Sequence, residues 1–408
     1  MKVCWMSDDI SSMATGYSNE SRQICFGLRD AGHEVVFLGC HAPQFYDHEY
    51  EGMKIHSIMG TGHRASVQQI LASEKPDVFI TFWDLRKLMH IMQMDRFIKC
   101  PWLMYYLLDD KPLPWEYLRM YRVPQLTIVP GSKFLKGLYD DAGIETADAV
   151  QLGTDTDFFK PLDPEIRRKL KRATLGGECV NKTVFGFVGK NMPRKNIPLL
   201  MEAFCSLPNE VRKASILMLH TQAQPIEMGP QGPVMIGHDL LNLRKFQYKS
   251  DNIIFSGPDG RIDFDMNSVY NVFDYGISAT FQEGWGKTST ESMAAGLPMI
   301  ITDVSTASEI CGEDWPFIVP AGATNLYPGV SINASYPSVE TMAQKMEEAF
   351  YIHRDEPARY QELCEYSRQR ILDSMTLQHT IDGWLKVLDD AKDRAGWKDE
   401  YMFEEVVI

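Results

Sequence analysis

The sequence predicts an α/β protein made of two doubly wound parallel sheets, followed by a helical tail. Three observations point there. The chain has 408 residues, and at about 150 residues per domain that length suggests two to three domains. Short apolar runs alternate with longer helical stretches in two successive series, the pattern of parallel strands joined by crossover helices. Beyond about residue 340 the strand signals stop and only helical periodicity remains.

The first series opens with a strand over Lys2–Met6, a polar loop and a helix from about Tyr17 to Ala31. Gly32 stops that helix, because a glycine after the last turn takes the left-handed conformation without a Cβ clash. Further strands are expected at Glu34–Leu38, Val78–Phe82, Leu103–Leu108 and Leu126–Val129. The second series comprises Thr183–Val188, Ile216–His220, Ile253–Ser256, Tyr275–Ala279 and Met299–Thr302. Between them lies the polar, proline-bearing stretch Gly153–Pro161, followed by Asp163-Pro164. The expected domains are therefore 1–160, 161–375 and a tail 376–408, with helices at about 338–353, 356–372 and 376–394. Doubly wound sheets bind ligands at the carboxyl ends of their strands, so two facing domains imply a central cleft.

Composition narrows the function. The chain is 44% hydrophobic and 24% charged, which is ordinary for a globular protein. Its net charge of −14 repels polyanions and argues against general nucleic-acid binding. The eight cysteines form no CxxC pair and no metal-like spacing, which fits a reducing compartment. The amino terminus reads as a strand rather than a signal peptide, and the longest apolar run, Cys100–Leu108, is too short to cross a bilayer. A cytoplasmic protein is expected, with peripheral membrane contact left open.

The most informative segment runs from Ala279 to Pro298. A strand ends near Ala279, a loop carries Glu283, Gly284, Trp285, Gly286 and Lys287, and a helix begins near Thr288. Its glycines allow a ligand close to the backbone, and the helix start attracts an anion through its exposed N–H groups and dipole. Glu283 is placed to point from the strand end toward a ligand. Thr288-Ser-Thr-Glu291 also reads as a capping box, in which Glu291 only caps its own helix.

Two glutamates separated by seven residues, followed by Met-Ala-Ala-Gly-Leu-Pro-Met-Ile, resemble the retaining GT-B glycosyltransferases of the group 1 type, family four. The resemblance implies the GT-B fold, two Rossmann-like domains facing a cleft. It also implies that Glu283 contacts the donor sugar hydroxyls and Glu291 the nucleotide ribose. The amides of Gly284 to Lys287 would approach the sugar and diphosphate.

A second segment, Gly186 to Pro198, places Lys190, Arg194 and Lys195 around a helix start, with Asn196 as N-cap. Cations there are unfavourable by roughly 0.3–1 kcal/mol each. A bound anion offsets that repulsion, although a solvated basic loop has the same composition. The segment resembles the donor-diphosphate motif of the family, with Lys190 where Arg is usual and Asn196 where Gly is usual. Lysine supplies a point charge rather than a bidentate fork.

In the first domain the family's glycine-rich loop corresponds to Asp9–Tyr17, which carries the single glycine Gly16. Gly16 and the following helix start are candidates for phosphate contact, or simply a helix-opening turn. Many family members place a His or Asp after the strand read here as 103–108. Asp109 and Asp110 stand there, with Asp109 favoured as the acceptor-side carboxylate. Asp155-Thr-Asp157 mimics a metal-binding DxD but falls at the expected domain junction, where a turn fits better. Glu309, within Thr302–Ile310, stands where the family has a similar acidic position, either to cap a helix or to support the donor loop. Arg167–Arg172 holds five cations in six residues, a lipid-docking surface or a solvated helix face.

The expected protein is a metal-independent retaining hexosyltransferase. Its donor is a nucleotide sugar, UDP- or GDP-linked, and its acceptor a carbohydrate, lipid-linked or small-molecule hydroxyl; no cofactor is expected beyond the donor as substrate. Catalysis is assigned to Glu283, Lys195 and Asp109. Donor binding is assigned to Gly16, Lys190, Arg194, Lys195, Glu283 to Lys287 and Glu291. A nucleotide-sugar epimerase on the same fold and a non-catalytic nucleotide-sugar-binding subunit stand as alternatives. The base and sugar would be read around Ser256–Arg261 and Thr280–Gln282, segments that follow no portable code.

Overall fold

The computed structural model describes residues 1–12, 15–42, 46–60, 64–84, 87, 97–114, 123–229, 232–256, 265–327 and 331–398. By its internal contacts the chain divides into two units, Met1–Gly153 with Leu377–Ile408, and Thr154–Thr376.

The first unit is built on a seven-stranded sheet. Its strands are β1 (Lys2–Asp8), β2 (Glu34–Cys40), β3 (His48–Tyr50), β4 (Met53–Ile58), β5 (Val78–Phe82), β6 (Trp102–Tyr106) and β7 (Leu126–Pro130). Their order is β3-β4-β2-β1-β5-β6-β7. All neighbours are parallel except the edge pair β3 and β4. Val3, Cys4, Trp5 and Met6 are fully buried, as a strand covered on both faces requires. Helix α1 (Gly16–Asp30) starts on a capping box between Thr15 and Ser18, and Thr15 also donates to Asp8 Oδ2 at 2.8 Å. Helices α2 (Arg64–Glu74) and α3 (Lys133–Asp141) follow.

The second unit begins with α4 (Pro164–Leu175) and carries a six-stranded sheet. It contains β8 (Thr183–Val188), α5 (Ile197–Ser206) and β9 (Ser215–His220). A hairpin of β10 (Ile226–Gly229) and β11 (Gly232–Met235) leads on to β12 (Ile253–Ser256). Then come α6 (Met266–Val272), β13 (Tyr275–Ser278), α7 (Lys287–Ala294), β14 (Met299–Thr302) and α8 (Ala307–Cys311). The short β15 (Ile318–Val319), the hairpin of β16 (Ala321–Leu326) and β17 (Asn333–Pro337), then α9 (Val339–Asp355) and α10 (Pro357–Ser374) complete it. The sheet order is β12-β9-β8-β13-β14-β15, and its strands are parallel. The order reverses direction between β8 and β13, which makes their carboxyl ends the topological switch point.

Finally, α11 (Leu377–Asp390) returns to the first unit. Its Trp384, fully buried, meets the rings of Trp5 at 5.1 Å and Tyr105 at 5.0 Å.

The strands expected from apolar runs are all present, four with the expected bounds and the others shifted by one or two residues at their ends. The edge strands β3 and β15, the neighbouring β4 and the two hairpins are additions, because such short strands carry little apolar periodicity. The basic run on α4 is not a uniformly solvated face. Lys171 places Nζ 2.6 Å from buried Asp274, and Arg167 donates to the carbonyls of Asn271 and Phe273. Asp155 closes a turn by accepting the N–H groups of Asp157 and Phe158. Among the described residues, no helix is long and apolar enough to cross a membrane.

Candidate functional site

Two loops meet at the switch point of the second unit. One follows β8 and carries Lys190, Arg194 and Lys195; the other follows β13 and carries Glu283 through Gly286. Two hydrogen bonds stitch them together: Phe281 N–H donates to Arg194 O at 3.0 Å, and the Thr280 hydroxyl Oγ1 donates to the same carbonyl at 3.0 Å. Arg194 Nη1 then donates to Gln282 O and to Glu283 Oε1, both at 2.9 Å, and Lys195 Nζ donates to Glu283 Oε2. Burial pushes the Glu283 carboxyl up, but the two cations outweigh it and hold it at about 2. Lys190 stands exposed just beyond β8.

The first loop explains the asparagine in place of the family's glycine. Asn196 is the N-cap of α5 with φ of +51°, the left-handed region that asparagine tolerates better than most side chains. Its side chain makes no capping bond; Pro193–Lys195 instead forms a short 3-10 turn that presents Arg194 and Lys195.

In the second loop Gly286 has φ of +88° and is the N-cap of α7, a backbone that only glycine adopts without strain. It starts the helix at Lys287, earlier than expected from sequence. The expected capping box of Thr288 and Glu291 is therefore not formed: Glu291 sits in the second turn, and Tyr270 donates to its Oε2 at 2.7 Å. Gly284, Trp285 and Gly286 are buried, with Trp285 2% exposed. Among the described residues, none of their three backbone N–H groups donates a hydrogen bond, and Trp285 Nε1 is buried without an acceptor. Buried amides left unpaired cost about 1–3 kcal/mol each, so a row of them beside a helix start points to an anionic ligand. Half-buried Lys287 opens the helix.

Elsewhere, Gly16 is the exposed first residue of α1, and Asp109 is half-buried beyond β6, both in the first unit. Asp110 is buried and accepts the Lys111 N–H at 2.8 Å. The structure thus brings Arg194, Lys195 and Glu283 into direct contact, next to the amides of Gly284 to Gly286. Of the proposed base-reading loops, Thr280–Gln282 is buried against this cluster, whereas 257–261 lies outside the described residues.

Several contacts around the loop escape sequence reasoning. Gln282 Nε2 donates to Asn333 O, and Ser335 N–H donates to Phe281 O at 2.9 Å, so the β16–β17 hairpin buttresses the Glu283 loop. From the β14–α8 turn, Ser305 Oγ donates to Glu283 O and Thr306 Oγ1 to Trp285 O at 2.8 Å.

Comparison with known proteins bears on the fold and on the segment that carries these loops. Residues 182–327 match the family model described as "Glycosyl transferases group 1". A D-inositol 3-phosphate glycosyltransferase of Mycobacterium sp. strain KMS is 30% identical over 158 residues, 38% of this chain and 32% of that protein. The match therefore spans about a third of that relative's length. Sucrose-phosphate synthase of Thermosynechococcus elongatus superposes with a TM-score of 0.73 at 16% identity, covering 95% of this chain and 98% of that one. HepE of Anabaena, in complex with UDP and glucose, gives a TM-score of 0.67 at 15% identity, with 96% and 100% covered. Residues 182–327 thus match a group 1 glycosyl transferase domain, in a chain whose two parallel-sheet units have the GT-B fold.

Proposed function

We propose that the chain is a retaining glycosyltransferase that moves a hexose-type sugar from a UDP- or GDP-sugar to an acceptor hydroxyl. The observation that carries this reading is the Glu283 carboxylate bound by Arg194 and Lys195, next to the unpaired amides of Gly284 to Gly286. Without donor, the carboxylate satisfies the two cations. A diphosphate would take Arg194 and Lys195 and accept from the loop amides, which releases Glu283 to orient hydroxyls of the donor sugar. Cations and fixed amides then neutralise the charge that develops on the departing diphosphate, commonly the largest catalytic contribution. The acceptor hydroxyl attacks on the leaving-group face, so configuration is retained. Glu291, tied to Tyr270, is assigned to the ribose, and Asp109 to the acceptor hydroxyl.

The bound UDP and glucose of HepE, a structural neighbour, favour the uridine donor over the guanosine one. The acceptor class is a carbohydrate, a lipid-linked saccharide or a small molecule. Thermal shift against UDP, GDP, ADP and their sugars tests the reading, because a ligand that binds only the folded state raises its midpoint. A shift with one nucleoside diphosphate and its sugar is expected, followed by sugar transfer when acceptors are supplied. No shift with any nucleotide overturns the proposal.

A further inference from the structure

Glycine-containing loops are mobile unless something fixes their peptide planes, and the loop from Glu283 to Gly286 carries two glycines. The hydroxyls of Ser305 and Thr306 reach its backbone from the neighbouring β14–α8 turn. Thr306 is 1% exposed, so its bond to Trp285 O at 2.8 Å is shielded from water. Ser305 has φ of +39°, a left-handed conformation that favours glycine. A serine held there bears strain, and the contact it makes is the bond from its Oγ to Glu283 O.

The placement of these two bonds matters. In a planar trans peptide the C=O and the N–H that follows it point in opposite directions. Fixing Glu283 O therefore aims the Gly284 N–H away from the β14–α8 turn, and fixing Trp285 O does the same for the Gly286 N–H. Those are two of the three buried amides without an acceptor among the described residues. Helix α8, which follows the turn, is itself anchored, since Arg370 donates to the carbonyls of Glu309 at 2.8 Å and Ile310 at 3.2 Å.

We infer that Ser305 and Thr306 are positioning residues, a pair of hydroxyls that set the loop amides for the diphosphate of the donor. This deepens the proposed function and rests on it. The pair acts through the backbone of the Glu283–Gly286 loop and touches no substrate.

The test compares binding of UDP with binding of uridine, by calorimetry, in the full chain. Thr306→Val keeps the shape and removes the hydroxyl; Thr306→Ser keeps the hydroxyl. Ser305→Gly removes the hydroxyl and the backbone strain together, whereas Ser305→Ala removes the hydroxyl alone. Thr306→Val and both Ser305 variants should weaken UDP about ten-fold, as the loss of one hydrogen bond implies, with uridine affinity unchanged. Thr306→Ser should restore UDP binding. The Gly variant should still lose UDP affinity even where its thermal midpoint rises.

Equal losses for UDP and uridine, or unchanged UDP affinity in Thr306→Val and the Ser305 variants, overturn the inference. If the wild-type chain binds neither UDP nor GDP, the functional reading fails first and the inference falls with it. GDP and guanosine replace the uridine pair if the wild type prefers them.

Discussion

Glu74 in the first unit and Glu283 in the second are electrostatic twins in different surroundings. Each is a half-buried carboxylate held at about 2 against an ordinary value near 4.5, with burial opposing and cations prevailing. Glu74 accepts from Lys2 at 2.7 Å, Lys54 at 2.6 Å and His56 at 2.8 Å, and so ties α2 to β1 and β4. Glu283 accepts from Arg194 and Lys195, which lie on a loop rather than on a strand. A depressed carboxyl alone therefore does not mark a site, since structural ion-pair networks produce the same shift. What separates the two is the neighbourhood. Around Glu74 the charges close on one another, whereas beside Glu283 a row of buried amides has no acceptor among the described residues.

The contrast is most sharply broken by substitution. Lys195→Ala should reduce sugar transfer at least about 100-fold, the scale for loss of one preorganised charge-stabilising donor. Its thermal midpoint should fall only modestly, because Arg194 still pairs with Glu283. Glu74→Gln should do the reverse, with transfer within two-fold of wild type and a stability loss of about 2 kcal/mol by denaturant melts. That figure is discounted because Lys54 is half exposed. Comparable activity losses in both variants would erase the distinction.

Acid titration sharpens it further. A carboxyl whose folded value lies below its unfolded one contributes stability that is complete above about pH 4.5 and fades as pH falls toward 2. The gap in midpoint between wild type and Glu74→Gln, or between wild type and Glu283→Gln, should therefore shrink over that window. Saturating UDP should move the Glu283 portion to higher pH, because the diphosphate takes its cations, and leave the Glu74 portion in place. The smallest effect expected is none at all: transfer in excess EDTA should match untreated enzyme, as cations and amides carry the diphosphate in the proposed reading. A loss restored by added Mg²⁺ would refute that part.

Much of this was legible in the chain itself. Parallel strands buried on both faces, such as Val78–Phe82 and Thr183–Val188, announce themselves as continuous apolar runs. The Glu283 loop is legible because its acid, glycines and helix start are contiguous. The capping-box reading of Glu291 went astray because a left-handed Gly286 begins the helix early, and left-handed backbone is not written in periodicity. Ser305 and Thr306 were invisible for a different reason. Their hydroxyls act on carbonyls more than twenty positions away in sequence, and nothing in Asp303-Val-Ser-Thr-Ala distinguishes such a reach from an ordinary turn.

The return of α11 to the first unit bears on how the protein is made. Trp5 and Tyr105 emerge early in synthesis, but Trp384, which packs against both, emerges only after the entire second unit. At roughly 5–20 residues per second, the delay between Gly153 and Leu377 is on the order of ten to forty seconds. Throughout that time the nascent first unit has an apolar face without its native cover. The newborn chain thus passes through an interval in which aggregation or chaperone capture competes with folding. An isolated first unit expressed for study would need Leu377–Asp390 grafted onto it to escape the same exposure.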